Sequence, residues 1–288
     1  MALDHRHQVQ DPFAAEADDA AMAELLDLDA EVLHSYLSEV TAWIQTLAAE
    51  LAPRRVLDLG SGTGTGAFAL LERFERADVI AVDRSAHLLR RLSGKVGVLG
   101  VADRVRTVHA DLDGEWPAID AVDLVWASSS LHHLADPDHV LTEVFSALRP
   151  GGFLVVVELD SFPRFLPDDV GIGHPGLEAR CHAVLAQGRA AELPNLGSDW
   201  GARLAQVGFI IEAQRAFAID LPAPLPAATG RYAQASLRRI RSGLEGRMSA
   251  DDLAALDALL DDDGVDGVRH RSDLNVRTGR TVWVARRP

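Results

Sequence analysis

The chain has 288 residues, of which 48% are hydrophobic, and it carries a formal net charge of −15. This length and apolar fraction are enough for one large α/β domain with a cap, or for two modest domains that share an interface. The negative charge argues against binding to nucleic-acid phosphates, and the single cysteine, Cys181, excludes an intrachain disulfide and a cysteine-rich zinc site.

The first predicted element is one amphipathic helix over residues 29–51. Residues 1–20 before it are polar and acidic without clear periodicity, and we expect them to be flexible. Apolar residues then recur at helical spacing, with Asp29 as the expected N-cap. The positions of Tyr36 and Trp43 on this helix fit either core packing or the lining of a ligand pocket.

Five short runs of β-branched and aliphatic residues follow, separated by segments long enough to hold helices. They cover residues 55–59, 79–82, 105–108, 124–127 and 153–158. This alternation is typical of a parallel sheet that helices cover on both faces. We therefore predict a doubly wound α/β fold.

The alternation stops after Glu158, where four prolines surround a predicted helix at residues 177–191. We expect residues 160–198 to form an insertion over the carboxyl edge of the sheet, one that the core does not need. The remaining predicted elements are a helix at 199–207, a strand at 209–219, helices at about 228–245 and 250–261, and a strand at 281–285. Together with the N-terminal helix, the insertion and the late helices are expected to form a lid over an acceptor pocket.

The strongest motif lies at the end of the first predicted strand, where Gly60, Gly62 and Gly64 precede a predicted helix at residues 67–74. Glycines there let the backbone turn sharply and approach a ligand. Asp83 ends the next strand, where a carboxylate can accept hydrogen bonds from ribose hydroxyls. No Gly-Lys-Ser or Gly-Lys-Thr follows the glycines, which excludes a phosphate-binding P-loop.

These residues resemble the class I S-adenosylmethionine-dependent methyltransferases, whose glycine motif is an acidic residue, any residue, then Gly-x-Gly-x-Gly. Asp58 to Gly64 fits this motif at every position, and Asp83 stands at the family's ribose position. Residues 148–152 are similar to the turn before the family's fifth strand. The resemblance implies a mostly parallel seven-stranded, Rossmann-like sheet with an antiparallel last strand and a helical cap.

The resemblance also implies S-adenosyl-L-methionine as the cofactor. In the family, the Asp111 carboxylate would face the adenine amino group and the Leu112 amide would serve a ring nitrogen, while Ala127 and Ser128 would lie beside the methionine portion. The full set of expected cofactor-binding residues is Asp58, Gly60, Gly62, Gly64, Asp83, Asp111, Leu112, Ala127 and Ser128.

On this reading the chain divides into four parts. Residues 1–52 form an N-terminal helical segment and cap, and residues 53–160 form the S-adenosylmethionine-binding core. Residues 161–198 form a cap insertion. Residues 199–288 complete the core with the last two strands, interrupted by a helical insertion at about 222–262.

Methyl transfer from a sulfonium is an in-line displacement, so the protein must hold the acceptor at roughly 3 Å and exclude water, and no metal is required. Histidine is the side chain most easily tuned to remove an acceptor proton near neutral pH. His132 and His133 follow the fourth strand, and His174 lies in the expected cap, so these three are the candidate catalytic residues. A packing or surface role is the alternative for each of them.

Two other functions share the fold. A nicotinamide-dependent oxidoreductase would use the same strand, glycine turn and acidic residue, but its Gly-x-Gly-x-x-Gly spacing fits only with Ala67 as a variant. A non-catalytic binding protein could keep the fold and the donor pocket. We expect a small-molecule acceptor, no nucleic-acid or membrane partner and a cytoplasmic address, and the sequence allows a homodimer.

Overall fold

A computed structural model describes the backbone of residues 12–288 and the side chains of residues 18–189 and 192–288. Seven strands form one sheet in the order β3-β2-β1-β4-β5-β7-β6. The strands are β1 (Arg55–Leu59), β2 (Asp78–Asp83), β3 (Val105–His109), β4 (Val122–Ser128), β5 (Leu148–Arg164), β6 (Ile210–Asp220) and β7 (Arg277–Arg286). Strands β1 to β5 pair in parallel, and β7 runs antiparallel to both β5 and β6. The predicted fold class is thereby confirmed.

Nine helices connect or cover the strands within the described residues. They are α1 (Pro12–Val32), α2 (His34–Leu47), α3 (Thr65–Arg73), α4 (Ala86–Leu99), α5 (Pro137–Ala147), α6 (Leu177–Glu192), α7 (Trp200–Val207), α8 (Thr229–Ser242) and α9 (Ala250–Leu260). None of these helices has both the length and the apolar character that crossing a bilayer requires.

The two faces of the sheet bury separate sets of side chains, because successive residues of a strand point to opposite faces. Val56 and Leu124 face one cluster, which also takes side chains from α2, α3, α6, α8 and α9. Leu57 and Val125 face the other cluster, which is closed mainly by α5 and α7. Because strands such as β1 and β4 are buried on both faces, their sequences are continuous apolar runs in which polar and apolar residues do not alternate.

The prediction of one N-terminal helix with Asp29 as its N-cap is wrong. The helical chain begins at Pro12 and breaks at Leu33, so that Asp29 lies inside α1. Its carboxylate accepts a hydrogen bond from the Tyr232 hydroxyl rather than capping a helix. Asp29 is thus engaged by a residue about 200 positions further along the chain rather than by its own helix. Of the segment that we expected to be flexible, residues 1–11 lie outside the described residues.

Residues 160–198 are part of the core, which corrects the expectation that the core does not need them. Strand β5 continues past the predicted end at Glu158, and Arg164 still pairs with Arg277 of β7. Beyond β5, the side chains of Phe165 and Leu177 are buried in the same cluster as the strands of the sheet. The segment therefore cannot be exchanged for a short loop without exposing apolar surface.

Candidate active site

The glycine turn lies at the carboxyl end of β1. Gly60, Gly62 and Gly64 have φ angles of +67°, +53° and +91°, a region that side-chain-bearing residues rarely adopt. A Cβ atom at Gly60 would lie 2.4 Å from the Cβ atom of Ser130, which follows the neighbouring strand β4. Both backbone conformation and space therefore require glycine at this point.

Asp83, at the carboxyl end of β2, supports the glycine turn directly. Its Oδ2 atom accepts a hydrogen bond from the Gly62 amide at 2.8 Å, and its Oδ1 atom accepts one from the Ser85 amide at 2.8 Å. The side chain is buried, and a carboxylate has further lone pairs with which it can accept from a ligand. This bracing of the turn was not apparent from the sequence, which indicated only a ribose contact.

Four buried polar atoms around the turn have no hydrogen-bond partner among the described residues. They are Asp58 Oδ2, Ser61 Oγ, Thr63 Oγ1 and Ser130 Oγ. Buried polar groups are normally paired, so their grouping at one turn fits a polar ligand such as the amino-acid portion of S-adenosylmethionine. Burial raises the pKa of Asp58 to about 7; the nearby backbone amide of Ala67 opposes this shift, and the Asp83 charge adds to it.

The other expected cofactor residues lie along the same sheet edge. Ala127 pairs with Leu59 at the ends of β4 and β1, and Ser128 follows it, half-buried. Leu112 is buried after β3, whereas Asp111 is exposed, and its Oδ1 atom accepts a hydrogen bond from the Asp113 amide at 3.1 Å. The predicted cofactor residues therefore lie at or just beyond the carboxyl ends of the neighbouring strands β3, β2, β1 and β4.

The three candidate histidines separate into a pair and a single residue. His132 is buried, and its Nδ1 atom lies 2.6 Å from a carboxylate oxygen of Glu158, at the point where β5 passes the sheet edge. The ring of His133 is 4.2 Å from that of His132, and the residue is partly covered by the protein and partly open to solvent. His174 lies in the loop before α6, where its carbonyl accepts a hydrogen bond from Arg180.

The environments of these histidines differ chemically. Burial lowers the pKa of His133 to about 4, and the charges of His132, Arg84 and Arg239 act in the same direction. His133 is therefore neutral at neutral pH and a weak base. Glu158, which orients His132, was missed in the sequence, although a carboxylate at the end of a central strand could have indicated it.

Helix α1 covers the glycine turn. A Cβ atom at Gly62 would come within 3.0 Å of the Leu26 side chain. Asp27 of α1 forms ion pairs with Arg91 and Lys95 of α4, and Lys95 also donates to the Thr63 carbonyl at 3.0 Å. The first helix is thus fixed to the same turn that would hold the donor.

The two aromatic residues considered for a pocket both lie on α2 and pack on β6. The ring of Tyr36 is 5.4 Å from that of Phe217, and the ring of Trp43 is 6.1 Å from it. Both contacts have edge-to-face geometry, which aromatic pairs prefer in cores. Trp43 and the ring of Tyr36 therefore serve packing.

Comparison with known proteins agrees with this geometry. A methyltransferase domain family matches residues 56–152. A malonyl acyl-carrier-protein O-methyltransferase of Laribacter hongkongensis is 39% identical over 113 residues, which are 38% of this chain and 38% of that protein. A tRNA 5-carboxymethoxyuridine methyltransferase of Escherichia coli K12 is 33% identical over 123 residues, which are 41% of this chain and 46% of that protein. The chain thus spans less than half the length of these two relatives.

A solved structure shows the same fold at larger coverage. The 4+2 cyclase SpnF superposes with a TM-score of 0.52 at 18% identity, over 87% of this chain and 81% of that chain. Residues 56–152 of the chain are thus a methyltransferase domain, in agreement with the resemblance of its glycine motif to the class I S-adenosylmethionine-dependent methyltransferases. The cyclase demonstrates that this fold alone does not determine the reaction.

Proposed function

We propose that this chain transfers a methyl group from S-adenosyl-L-methionine to a small organic acceptor held between the sheet edge and the helices above it. The observation that carries the proposal is the group of buried polar atoms around the glycine turn of the matched domain that have no hydrogen-bond partner in the described part of the chain. Two relatives that act on different acceptors, an acyl carrier protein and a tRNA, leave the acceptor class to be argued from this chain.

In this proposal each part of the cofactor is bound by residues at a different position along the carboxyl edge of the sheet. Gly60 and Gly62 face the methionine portion, because no side chain there obstructs a ligand. Asp83 accepts from the ribose with lone pairs left over from its two backbone amides. Asp111 and Leu112 serve the adenine at the end of β3.

The bound donor supplies an electrophilic methyl group, so the protein must mainly position the acceptor and exclude water. For an acceptor that must lose a proton, His132 is better suited than His133. Glu158 accepts a hydrogen bond from the Nδ1–H group of His132, which leaves Nε2 as the proton-accepting nitrogen. His174 is held beside Arg180, which pairs with Asp252 of α9, and is the weakest of the three candidates.

The proposed domain organisation follows from the same arrangement. Residues 12–52, 161–198 and about 222–262 form the cap, whose inner side chains also belong to the hydrophobic core, while residues 53–160 and the last two strands supply most of the sheet. A small acceptor is favoured because the chain carries a net charge of −15 and α1, directly over the donor turn, is acidic. Nucleic-acid phosphates would be repelled at this surface.

The test is to incubate the purified protein with S-adenosylmethionine and either the low-molecular-weight fraction or the RNA fraction of a cell extract. We expect S-adenosylhomocysteine to be released with the low-molecular-weight fraction only. Release with RNA alone would overturn the small-acceptor assignment. Donor binding without release in either fraction would favour a binding protein.

A further inference from the structure

A second polar group lies under the cap, one strand away from the His132–Glu158 pair. It consists of Tyr36 of α2, Asp29 of α1, Tyr232 of α8 and Arg280 of β7, which we call the cap cluster. Arg280 pairs in register with Leu159, the residue after Glu158, so the cap cluster lies at the same end of the sheet as the proposed base but on the opposite face. Paired strands are about 4.8 Å apart.

The hydroxyl of Tyr36 is the unexplained member of the cap cluster. Its oxygen is buried and has no hydrogen-bond partner among the described residues, whereas the Tyr232 hydroxyl donates to Asp29. Burial holds the pKa of Tyr36 well above its usual value, so the group is a protonated donor. A buried hydroxyl without a partner is costly unless a ligand completes it.

Arg280 likewise has an N–H group, on Nη2, that makes no hydrogen bond to a described residue. The residue is 6% exposed, and its Nη1 atom donates to Thr278 Oγ1 at 2.6 Å and to the carbonyls of Gly279 at 3.0 Å and Ser161 at 3.3 Å. Its Nη2 atom lies 3.7 Å from Asp29 Oδ1, beyond hydrogen-bond distance. Asp29 is 36% exposed and also accepts from Tyr232, so water screens part of its charge.

Helix α8 links the cap cluster to the site of transfer. Tyr232 and Arg239 are seven residues apart and so lie on the same side of the helix. Tyr232 contacts Asp29 of the cap cluster, while the charge of Arg239 acts on His133 beyond β4. Helix α8 therefore runs from the cap cluster, which it contacts through Tyr232, to the neighbourhood of His133, where it carries the charge of Arg239.

We propose that Tyr36 and Arg280 bind a carboxylate group of the acceptor. A guanidinium and a phenol hydroxyl together offer N–H and O–H donors to the two oxygens of a carboxylate, and the hydrogen bonds are charge-assisted. This inference rests on the proposed function and names the chemical class of its acceptor. Both groups are acceptor-binding residues and take no part in proton removal.

The test uses Tyr36→Phe, which removes only the hydroxyl. Its melting temperature should equal or exceed that of the wild type, because no hydrogen bond within the protein is lost. Tyr232→Phe is the matched control, since it loses the bond to Asp29 and should melt at a lower temperature. Calorimetric titration with S-adenosylhomocysteine should give the same dissociation constant for the wild type and Tyr36→Phe.

The S-adenosylhomocysteine-saturated proteins are then titrated with acetate, malonate and succinate, each against its amide. We expect the wild type to bind at least one carboxylate and none of the amides, and Tyr36→Phe and Arg280→Lys to bind that carboxylate about tenfold or more weakly. No carboxylate binding by the wild type, or equal binding by Tyr36→Phe, would overturn the inference while leaving the donor site standing. Failure to bind S-adenosylhomocysteine would overturn the proposed function and this inference together.

Discussion

Replacement of Asp83 by alanine should damage both stability and donor binding. Asp83 accepts hydrogen bonds from the amides of Gly62 and Ser85, each at 2.8 Å. A hydrogen bond to a charged group contributes about 1.5–3 kcal/mol, so losing both should cost roughly 3–6 kcal/mol in the free energy of unfolding. The Gly62 amide would also be left buried without an acceptor.

Asp83→Asn is the matched control, because the amide keeps one acceptor oxygen and nearly the same shape. It should lose about half as much stability as Asp83→Ala. Equilibrium unfolding in urea without donor measures this difference, with the slope against urea checked for constancy. An Asp83→Ala free energy within about 1 kcal/mol of wild type would refute the bracing role.

Donor binding separates this structural role from contact with the ribose. Titration with S-adenosylhomocysteine, at a temperature where all three proteins are folded, should show a dissociation constant for Asp83→Ala about ten to a hundred times that of wild type. Reduced stability with unchanged donor affinity would mean that Asp83 only braces the turn.

Three further predictions concern the same edge of the sheet. Gly60→Ala would place a Cβ atom 2.4 Å from a neighbouring side-chain carbon and should lower the melting temperature much more than Gly151→Ala, which has open space and similar φ strain. Burial raises the pKa of Asp58 from 3.8 to about 7, so the free energy of unfolding of the wild type should fall as pH rises through that interval. Urea unfolding at about pH 5 and about pH 8 measures this fall, and Asp58→Asn should abolish it. An identical pH profile for the two proteins would contradict the burial of a titrating carboxyl. Glu158→Ala leaves the buried His132 without its partner and should cost about 1–3 kcal/mol in urea unfolding, whereas wild-type stability would argue against the pair.

The parts of the fold set by local pattern could be predicted from the sequence. The apolar runs predicted the sheet, because strands buried on both faces consist of apolar residues. The glycines after β1 predicted which edge of the sheet binds a ligand, because positive φ angles favour glycine. The parallel register then brings Asp83 and Ala127 to that edge without further information.

The parts set by contacts between distant residues could not be predicted. The position of α1 over the glycine turn depends on pairs such as Asp27 with Lys95. The partner of His132 is Glu158, 26 residues further along the chain, and no local spacing relates the two. The burial of Phe165 likewise depends on packing against Tyr232 of α8, with ring centroids 4.9 Å apart, rather than on the prolines around it.

The central claim is that the glycine turn binds S-adenosylmethionine. Calorimetric titration of wild type and Gly62→Val with S-adenosylhomocysteine tests it most directly, with NAD as the competing ligand. Valine at Gly62 would carry a β-branched side chain at a φ of +53°, with its Cβ atom 3.0 Å from Leu26. We predict one site per chain in the wild type, no detectable binding to Gly62→Val and none of NAD to either protein. Equal donor affinity in both proteins, or tight NAD binding without donor binding, would contradict the account.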